Sequence, residues 1–483
     1  MLRTSRTEDE AAAAPAHGAR SVRFALAGLS LCMLLPSLGT SIANVALPTL
    51  AKAFDAPFQQ AQWIVLAYLL ANTTLIVSVG RLGDLTGRRR LLMAGVLLFT
   101  AASIACGLAP TLWLLVAARA VQGLGAAIMM ALTLAFVGET VPKARTGSAI
   151  GLLGTMSAIG TALGPSLGGV LIAAVGWQAI FFINLPLGLV AWLLARRCLP
   201  AGHPAPAAGG ARLDLPGTLL LALTLAAYAL AMTLGRGHAG LLNLALLGAA
   251  VLGLGLFVLV ESRAASPLVP LPRLREPVLG ASLAMSALVA TVMMATLVVG
   301  PFYLAGALGL GAAEVGIVMS IGPMVAALMG VPAGRMVDRL GAPRVSIGAL
   351  GGMALGCSAL CVAPLALGVA GYLAPVALTT ACYALFQAAN NTGVMADVPP
   401  AQRGVLSGML NLSRNLGLIT GASAMGAVFA GAAGAADLRS ADAAALATGM
   451  RATFAVGGLA IVVALALAVA SRKVVRRLAR RQA

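Results

Sequence analysis

The chain has 483 residues, of which 60% are hydrophobic and 10% charged, against about 25% charged in a typical soluble domain. Too few polar side chains remain to cover a surface in water, so a soluble globular fold is excluded and lipid is the expected solvent. The formal net charge of +18 lies in short loops and at the chain ends rather than in a basic domain. That placement excludes nucleic acid as the partner and fits the Lys/Arg bias that orients membrane helices.

The apolar runs are long and continuous, the pattern of helices that cross a bilayer in roughly 20 residues. A β-barrel would alternate over segments of about ten. The expected fold class is therefore all-α, a polytopic membrane protein. Residues 1–23 form a charged, Ala-rich tail. Runs at 24–47, 61–79, 91–108, 112–136, 149–174, 180–195, 215–234, 241–260, 278–302, 314–331, 345–364, 369–392, 404–429 and 450–470 predict fourteen spans, the sixth interrupted by Pro186. The first run is too long for a signal-peptide core and is expected to be retained.

Charge orients these spans. With the N-terminus inside, the inner segments collect Arg20, Arg23, Arg81, Arg88, Arg89, Arg90, Lys143, Arg145, Arg196, Arg197, Arg335, Arg339, Arg344 and a C-terminal cluster from Arg472 to Arg481. The outer segments hold only Lys52, Arg236, Arg439 and Arg451. An even number of crossings with both termini cytoplasmic follows.

The loop after span 2 reads Gly80-Arg81-Leu82-Gly83-Asp84-Leu85-Thr86-Gly87-Arg88-Arg89-Arg90. It returns after span 10 as Gly334-Arg335-Met336-Val337-Asp338-Arg339-Leu340-Gly341-Ala342-Pro343-Arg344. Two copies of one loop between helix pairs imply two homologous halves, an arrangement common in transporters. Pro/Gly-rich stretches at 198–216 and 261–277 bracket spans 7 and 8. The expected division is a six-helix bundle at 24–197, a linker with two inserted spans at 198–277, a second six-helix bundle at 278–470, and a basic tail at 471–483.

In span 4, Arg119-Ala120-Val121-Gln122-Gly123 sets a cation about eight residues inside the helix, roughly 12 Å deep. A cation there is costly unless paired or facing a wet cavity. Two readings stand: a functional arginine, or a structural one bonding helix carbonyls. In span 5, Gly160, Gly164 and Gly168 recur every four residues, a smooth stripe for a closely approaching helix. Pro165 loosens the same helix. In span 12, Tyr383, Phe386, Gln387 and Asn390 share a helix face, which fits either a cavity lining or interhelical hydrogen bonding. Arg414 lies in span 13.

These motifs, in this order, resemble the major facilitator superfamily, in particular its fourteen-span drug:proton antiporter branch. The Gly80–Arg90 loop is similar to the family's loop motif, Arg119–Gly123 to its R-x-x-Q-G motif, and Gly160–Gly169 to its exporter motif. Supporting matches are Ile42–Pro48, Gln62-Trp63 with Tyr68, Trp177–Pro186, and Asn411 with Arg414, Gly417 and Gly421. The resemblance implies a major-facilitator fold of 6 + 2 + 6 spans in the plasma (inner) membrane. It implies export of small amphipathic molecules by alternating access and proton antiport.

By the same resemblance Arg119 and Gln122 serve coupling. Gly80, Asp84, Gly87, Arg88, Asp338 and Arg344 form the gate loops, and Gly160, Gly164, Pro165 and Gly168 the hinge. Tyr68, Asn72, Tyr383, Phe386, Gln387, Asn390 and Arg414 are candidates for the substrate cavity. A metabolite exporter or facilitator of the same fold is the alternative. Where many members carry a span-1 aspartate this chain has Gly39, and no acidic residue falls deep in a predicted span. The intramembrane charges are then Arg119 and Arg414, both positive, which favours neutral or anionic substrates.

No cofactor is expected: the chain lacks a G-x-x-x-x-G-K-[ST] loop for ATP and any metal-ligand cluster. Nor does it offer the carboxylate, histidine or metal grouping of a membrane-embedded enzyme. The expected partners are the substrate, protons and the lipid bilayer, and the expected state is a monomer.

Overall fold

A computed structural model of the chain describes residues 15–76, 78–140, 146–199, 214–234, 240–263, 276–362, 365–395, 400–434 and 441–482, all helix, turn or loop. Thirteen helices among the described residues are long and apolar enough to cross a membrane. The remaining crossing, span 2, is built from Trp63–Ile76 continued by Val79–Thr86. The other spans are Pro15–Ala53 (span 1), Arg88–Gly107 (3), Leu112–Thr140 (4), Thr146–Ala174 (5) and Ala179–Cys198 in two pieces (6). Leu215–Thr233 (7), Leu241–Arg263 (8), Pro277–Ala307 (9), Ala312–Leu340 (10), Ala342–Val362 (11) and Gly368–Met395 (12) follow. Span 13 runs Pro400–Ala433 and span 14 Ala443–Gln482.

Most ends differ from the expected runs by a few residues. The largest extensions are at span 1, span 10 and span 14, where polar residues continue the helix beyond its apolar part. Span 10 reaches Leu340 because the Arg335–Arg339 stretch stays helical until Gly341 at φ +81°. Gly87, the equivalent residue of the first loop copy, ends span 2 at φ +91°. Both positions lie in the region that favours glycine, so the repeat is present in backbone geometry as well as in sequence.

Helix starts follow local chemistry. Asp214 Oδ1 accepts the Gly217 N–H at 2.9 Å with Pro216 in the first turn of span 7, satisfying one of the donors a helix start leaves free. Inside the spans, where no water is at hand, hydroxyls bond back to carbonyls one turn earlier. Thr73 to Leu69 at 2.6 Å and Thr100 to Val96 at 2.8 Å are examples.

Packing repeats between the two groups of six. Spans 1·5, 1·6, 1·4, 2·4, 3·4 and 3·6 touch in the first group, and 9·13, 9·14, 9·12, 10·12, 11·12 and 11·14 in the second. Between groups, 5·10 and 2·13 are equivalent pairs, and span 1 meets span 9. This is the pattern of a pseudo-twofold axis between homologous halves.

Span 7 lies along span 2 and touches span 13 at residues 421–425. Trp63 Nε1 donates to Thr233 Oγ1 at 3.1 Å near one end of span 2, and the Ser78 and Thr218 hydroxyls meet at 2.8 Å near the other. Span 8 packs on span 7 and is otherwise largely exposed.

Candidate functional site

The two groups are closed against each other on the face away from the chain termini. Span 5 meets span 10 so closely that a Cβ on Gly169 would lie 2.6 Å from the Ala312 carbonyl oxygen, and one on Gly316 would run into the Pro165 carbonyl. On the other side of the axis Phe58 packs edge-on against Phe302 at 4.6 Å and Phe429 at 5.7 Å. Toward the terminus face the same two helices show no such close glycine contact among the described residues. Leu152 and Gly154 of span 5 and Met324, Leu328 and Val331 of span 10 are exposed. Cβ atoms on Gly154, Gly330 and Gly334 would meet nothing within 4 Å.

The gate-loop residues lie on that terminus face. Asp338 and Arg344 are exposed and Arg88 is half-buried. The exposure of Gly80 and the side chain of Asp84 lie outside what is described.

The hinge residues divide between two partners. Gly160, Gly164 and Gly168 face span 1: their Cβ positions fall 2.6 Å from Leu34 O, 2.5 Å from Ser41 Cβ and 2.7 Å from Ile42 Cγ1. Hydrogen bonds from Ser41 Oγ to Thr161 O (2.7 Å) and between Ser37 and Ser157 (2.6 Å) bind the same pair. The glycine stripe therefore joins two helices of one group. Contact with the other group comes from the neighbouring face, through Pro165 and Gly169.

Arg119 is fully buried inside the first group. Its Nε donates to Ile64 O at 3.0 Å and one terminal nitrogen to Gly39 O at 3.3 Å and Gln122 Oε1 at 2.5 Å. The guanidinium lies 4.3 Å above the Tyr68 ring, a cation–π contact. Gln122 continues the network to Ser103 Oγ at 2.6 Å, and Tyr68 OH donates to Pro36 O at 3.0 Å. The other terminal nitrogen, NH2, has no partner. The carbonyl-bonding geometry is present, and the cation's partners are all neutral. Gly39, where a carboxylate would stand, is instead a carbonyl ligand of the arginine.

The cavity candidates separate by exposure. Tyr68 and Phe386 are buried, and Asn390 is buried with Nδ2 donating to Ser282 O of span 9 at 3.3 Å. For Asn390 interhelical bonding is the observed role. Asn72 is buried with its Oδ1 unpartnered. Tyr383 and Gln387 are half-exposed, the amide donating to the phenol at 3.2 Å. Tyr383 lies about 140° and Gln387 about 180° around span 12 from the exposed Leu378, at 100° per residue, so they face inward rather than along the outer apolar flank. Arg414 is half-exposed on a face shared with Asn411 and Leu418, its Nε buried without a partner.

Several groups were not singled out by sequence. Asn44 and Asn184 are 1% exposed with both side-chain polar atoms unpartnered. Each lies inside a matched motif, Ile42–Pro48 or Trp177–Pro186, but was given no role of its own. Glu261 is 2% exposed, because span 8 continues to Arg263 rather than ending at residue 260. It is a buried carboxylate within the last turn of that helix, which the expectation of spans without deep acids passed over. Gln62 and Phe58 close the face away from the termini, and only Gln62 belonged to a recognised motif.

Residues 29–422 match the Major Facilitator Superfamily. The uncharacterized transporter YebQ of Escherichia coli (strain K12) is 32% identical over 82% of this chain and 86% of its own. The multidrug resistance protein Stp of Mycobacterium tuberculosis is 32% identical over 83% and 74%, and the riboflavin transporter RibZ of Clostridioides difficile 31% over 82% and 86%. Among solved structures, a bacterial homolog of the human lysosomal transporter Spinster aligns with a TM-score of 0.68 at 17% identity, over 94% of this chain and 97% of that one. The xylose transporter XylE from E. coli aligns at 0.63 and 13%, over 92% and 96%. With the paired packing of its two six-span groups and a family match over most of its length, this chain belongs to the Major Facilitator Superfamily, a multi-pass membrane transporter.

Proposed function

We propose that the chain is a fourteen-span drug:proton antiporter that exports neutral or anionic amphipathic molecules across the plasma membrane by alternating access. Both termini are then cytoplasmic, and the terminus face is the inner one. The moving bodies are the bundles 24–197 and 278–470, with 198–277 as an insert between them. The observation that carries the substrate class is the neutral surroundings of Arg119: two carbonyls, an amide and a phenol ring hold the guanidinium. With Arg414 as a second cation within the spans, a cationic substrate meets like charge at both positions, which is disfavoured by several kcal/mol when desolvated. The similarity to Stp, and to the drug efflux pump JefA of M. tuberculosis (34% identical over 85% of this chain), supports drug export.

Everted vesicles test this reading. With an imposed pH gradient, a neutral or anionic amphipath should enter and collapse the gradient, while a permanently cationic dye should do neither. Strong uptake of the cation, retained in Arg119→Ala, would end the proposal. A metabolite exporter or facilitator is the second reading, favoured by Gly39 and by the similarity to RibZ. It predicts substrate flux with no proton movement in the same vesicles.

Two substitutions in span 12 separate lining from packing. Gln387→Ala should lower export of the best substrate several-fold with an unchanged unfolding temperature. Asn390→Ala should lower stability by about 0.6 kcal/mol, the mean for an interhelical bond in a membrane, and leave export of the folded fraction intact. Thermal unfolding in detergent and efflux at matched expression read the two effects. The reverse pattern would remove Gln387 from the cavity.

A further inference from the structure

Among the described contacts of the outer closure, one hydrogen bond from a side chain crosses between the two bundles. Phe58, on the short helix Phe58–Ala61 that leads into span 2, wedges between Phe302 and Phe429 at interplanar angles of 88° and 64°. One turn deeper, Gln62 is 2% exposed, and its Nε2 donates to the carbonyl of Ala422 at 2.8 Å. The acceptor belongs to the π-helical stretch Gly421–Met425, where the wider turn takes carbonyls out of the usual i−4 ladder and leaves them open to another donor. Gly426 makes the approach possible: a Cβ there would run into the Gln62 amide nitrogen. Gln62 Oε1 has no partner in the closed seam.

We propose that Gln62, docked on the π turn of span 13, is the latch of the outer gate, a positioning residue that sets the balance between the inward- and outward-open states. While the seam is dry, parting the bundles leaves a buried amide and a carbonyl both unsatisfied, which is costly. Once water has entered, both groups are solvated and the bond no longer opposes opening. The contact therefore resists small displacements and yields to full ones, as a latch must. The Phe58 wedge supplies the apolar seal above it. The span 5–span 10 glycine contact is the apolar counterpart across the axis. This inference depends on the alternating access of the proposed function, but not on substrate or coupling.

Hydrogen exchange of the reconstituted full-length protein tests it without any substrate. Gln62→Leu keeps much of the bulk but removes the donor, and Gln62→Ala removes both. Losing one net hydrogen bond shifts the open-to-closed ratio about three- to tenfold. Peptides covering 58–70 and 421–433 should therefore exchange faster by that factor in both variants. Peptides from the inner parts of spans 5 and 10 should exchange more slowly, because opening outside closes the inside. Gly426→Ala should give the same pattern with Gln62 intact, and should add nothing in the Gln62→Ala background. Unchanged exchange at the outer peptides, or faster exchange at both faces, overturns the latch, as does full additivity of Gly426→Ala with Gln62→Ala. A chain that exports nothing yet shows the reciprocal exchange retains the latch and counts only against the export reading.

Discussion

Replacing Arg119 with glutamine is expected to lower proton-coupled export at least ~100-fold, about 2.7 kcal/mol in a barrier, with the unfolding temperature within a few degrees of the parent. The two halves of that expectation come from different sides of the same site. Burying a guanidinium without a counter-charge costs several kcal/mol. Hydrogen bonds to Ile64 O, Gly39 O and Gln122, with the contact over Tyr68, offset much of it. Glutamine removes the charge and most of the bonds together, so the cost and its compensation fall together and stability moves little. What glutamine cannot restore is the positive potential at the centre of the first bundle, which coupling requires in the proposed mechanism. Substrate counterflow, which needs no proton movement, should persist in the variant while substrate-driven collapse of a pH gradient is lost.

Arg119→Lys sharpens the result. A compact ammonium keeps the charge but cannot address two carbonyls and an amide in the fixed fork of a guanidinium. Coupling is expected to be partly retained and stability lowered. If the arginine were structural only, export would instead follow the unfolding temperature through the series. Gly39→Asp adds a carboxylate beside the cation. Its Cβ would sit 3.3 Å from Phe99 Cζ, so the ring must shift by a few tenths of an ångström. The expected outcome is a more stable protein that tolerates cationic substrates better than the parent does.

Much of this architecture was legible because membrane helices obey a length rule. Fourteen apolar runs and the loop repeat gave the span order and the homologous halves. The positive φ at Gly87 and Gly341 is the physical content of that repeat. What stayed hidden was which face of each helix meets which neighbour. In water the apolar stripe marks the core, but in lipid both flanks of a span are apolar. Tyr383, Phe386, Gln387 and Asn390 thus looked like one surface, although Phe386 and Asn390 are buried while Tyr383 and Gln387 stay part-exposed. The span-5 stripe was visible as three glycines, but its partner, span 1 rather than span 10, was not. The π turn at 421–425 left no mark in composition, and without it Gln62 read only as the opening of span 2.

Two substitutions of equal local severity should have unequal consequences, and the difference tests whether the bundles separate during transport. Leucine at Gly164 would drive its Cβ to 2.5 Å from Ser41 Cβ, and leucine at Gly316 would drive its own into the Pro165 carbonyl and the Gly169 backbone. Overpacking of this kind costs about 1–3 kcal/mol where the neighbours cannot move. Spans 1 and 5 belong to one bundle and are held by Ser41–Thr161 and Ser37–Ser157, so Gly164→Leu has no displacement that relieves it. It should lower the unfolding temperature by several degrees and the yield of folded protein with it. Spans 5 and 10 belong to different bundles. Parting their outer ends relieves Gly316→Leu along the motion that alternating access requires. That variant should fold nearly as well as the parent, stay open on the outer face and lose export. Unfolding temperature together with hydrogen exchange at 165–174 and 312–320 distinguishes the cases. Equal destabilisation by both substitutions, with the outer face still protected in Gly316→Leu, would mean that the two bundles do not part at this contact.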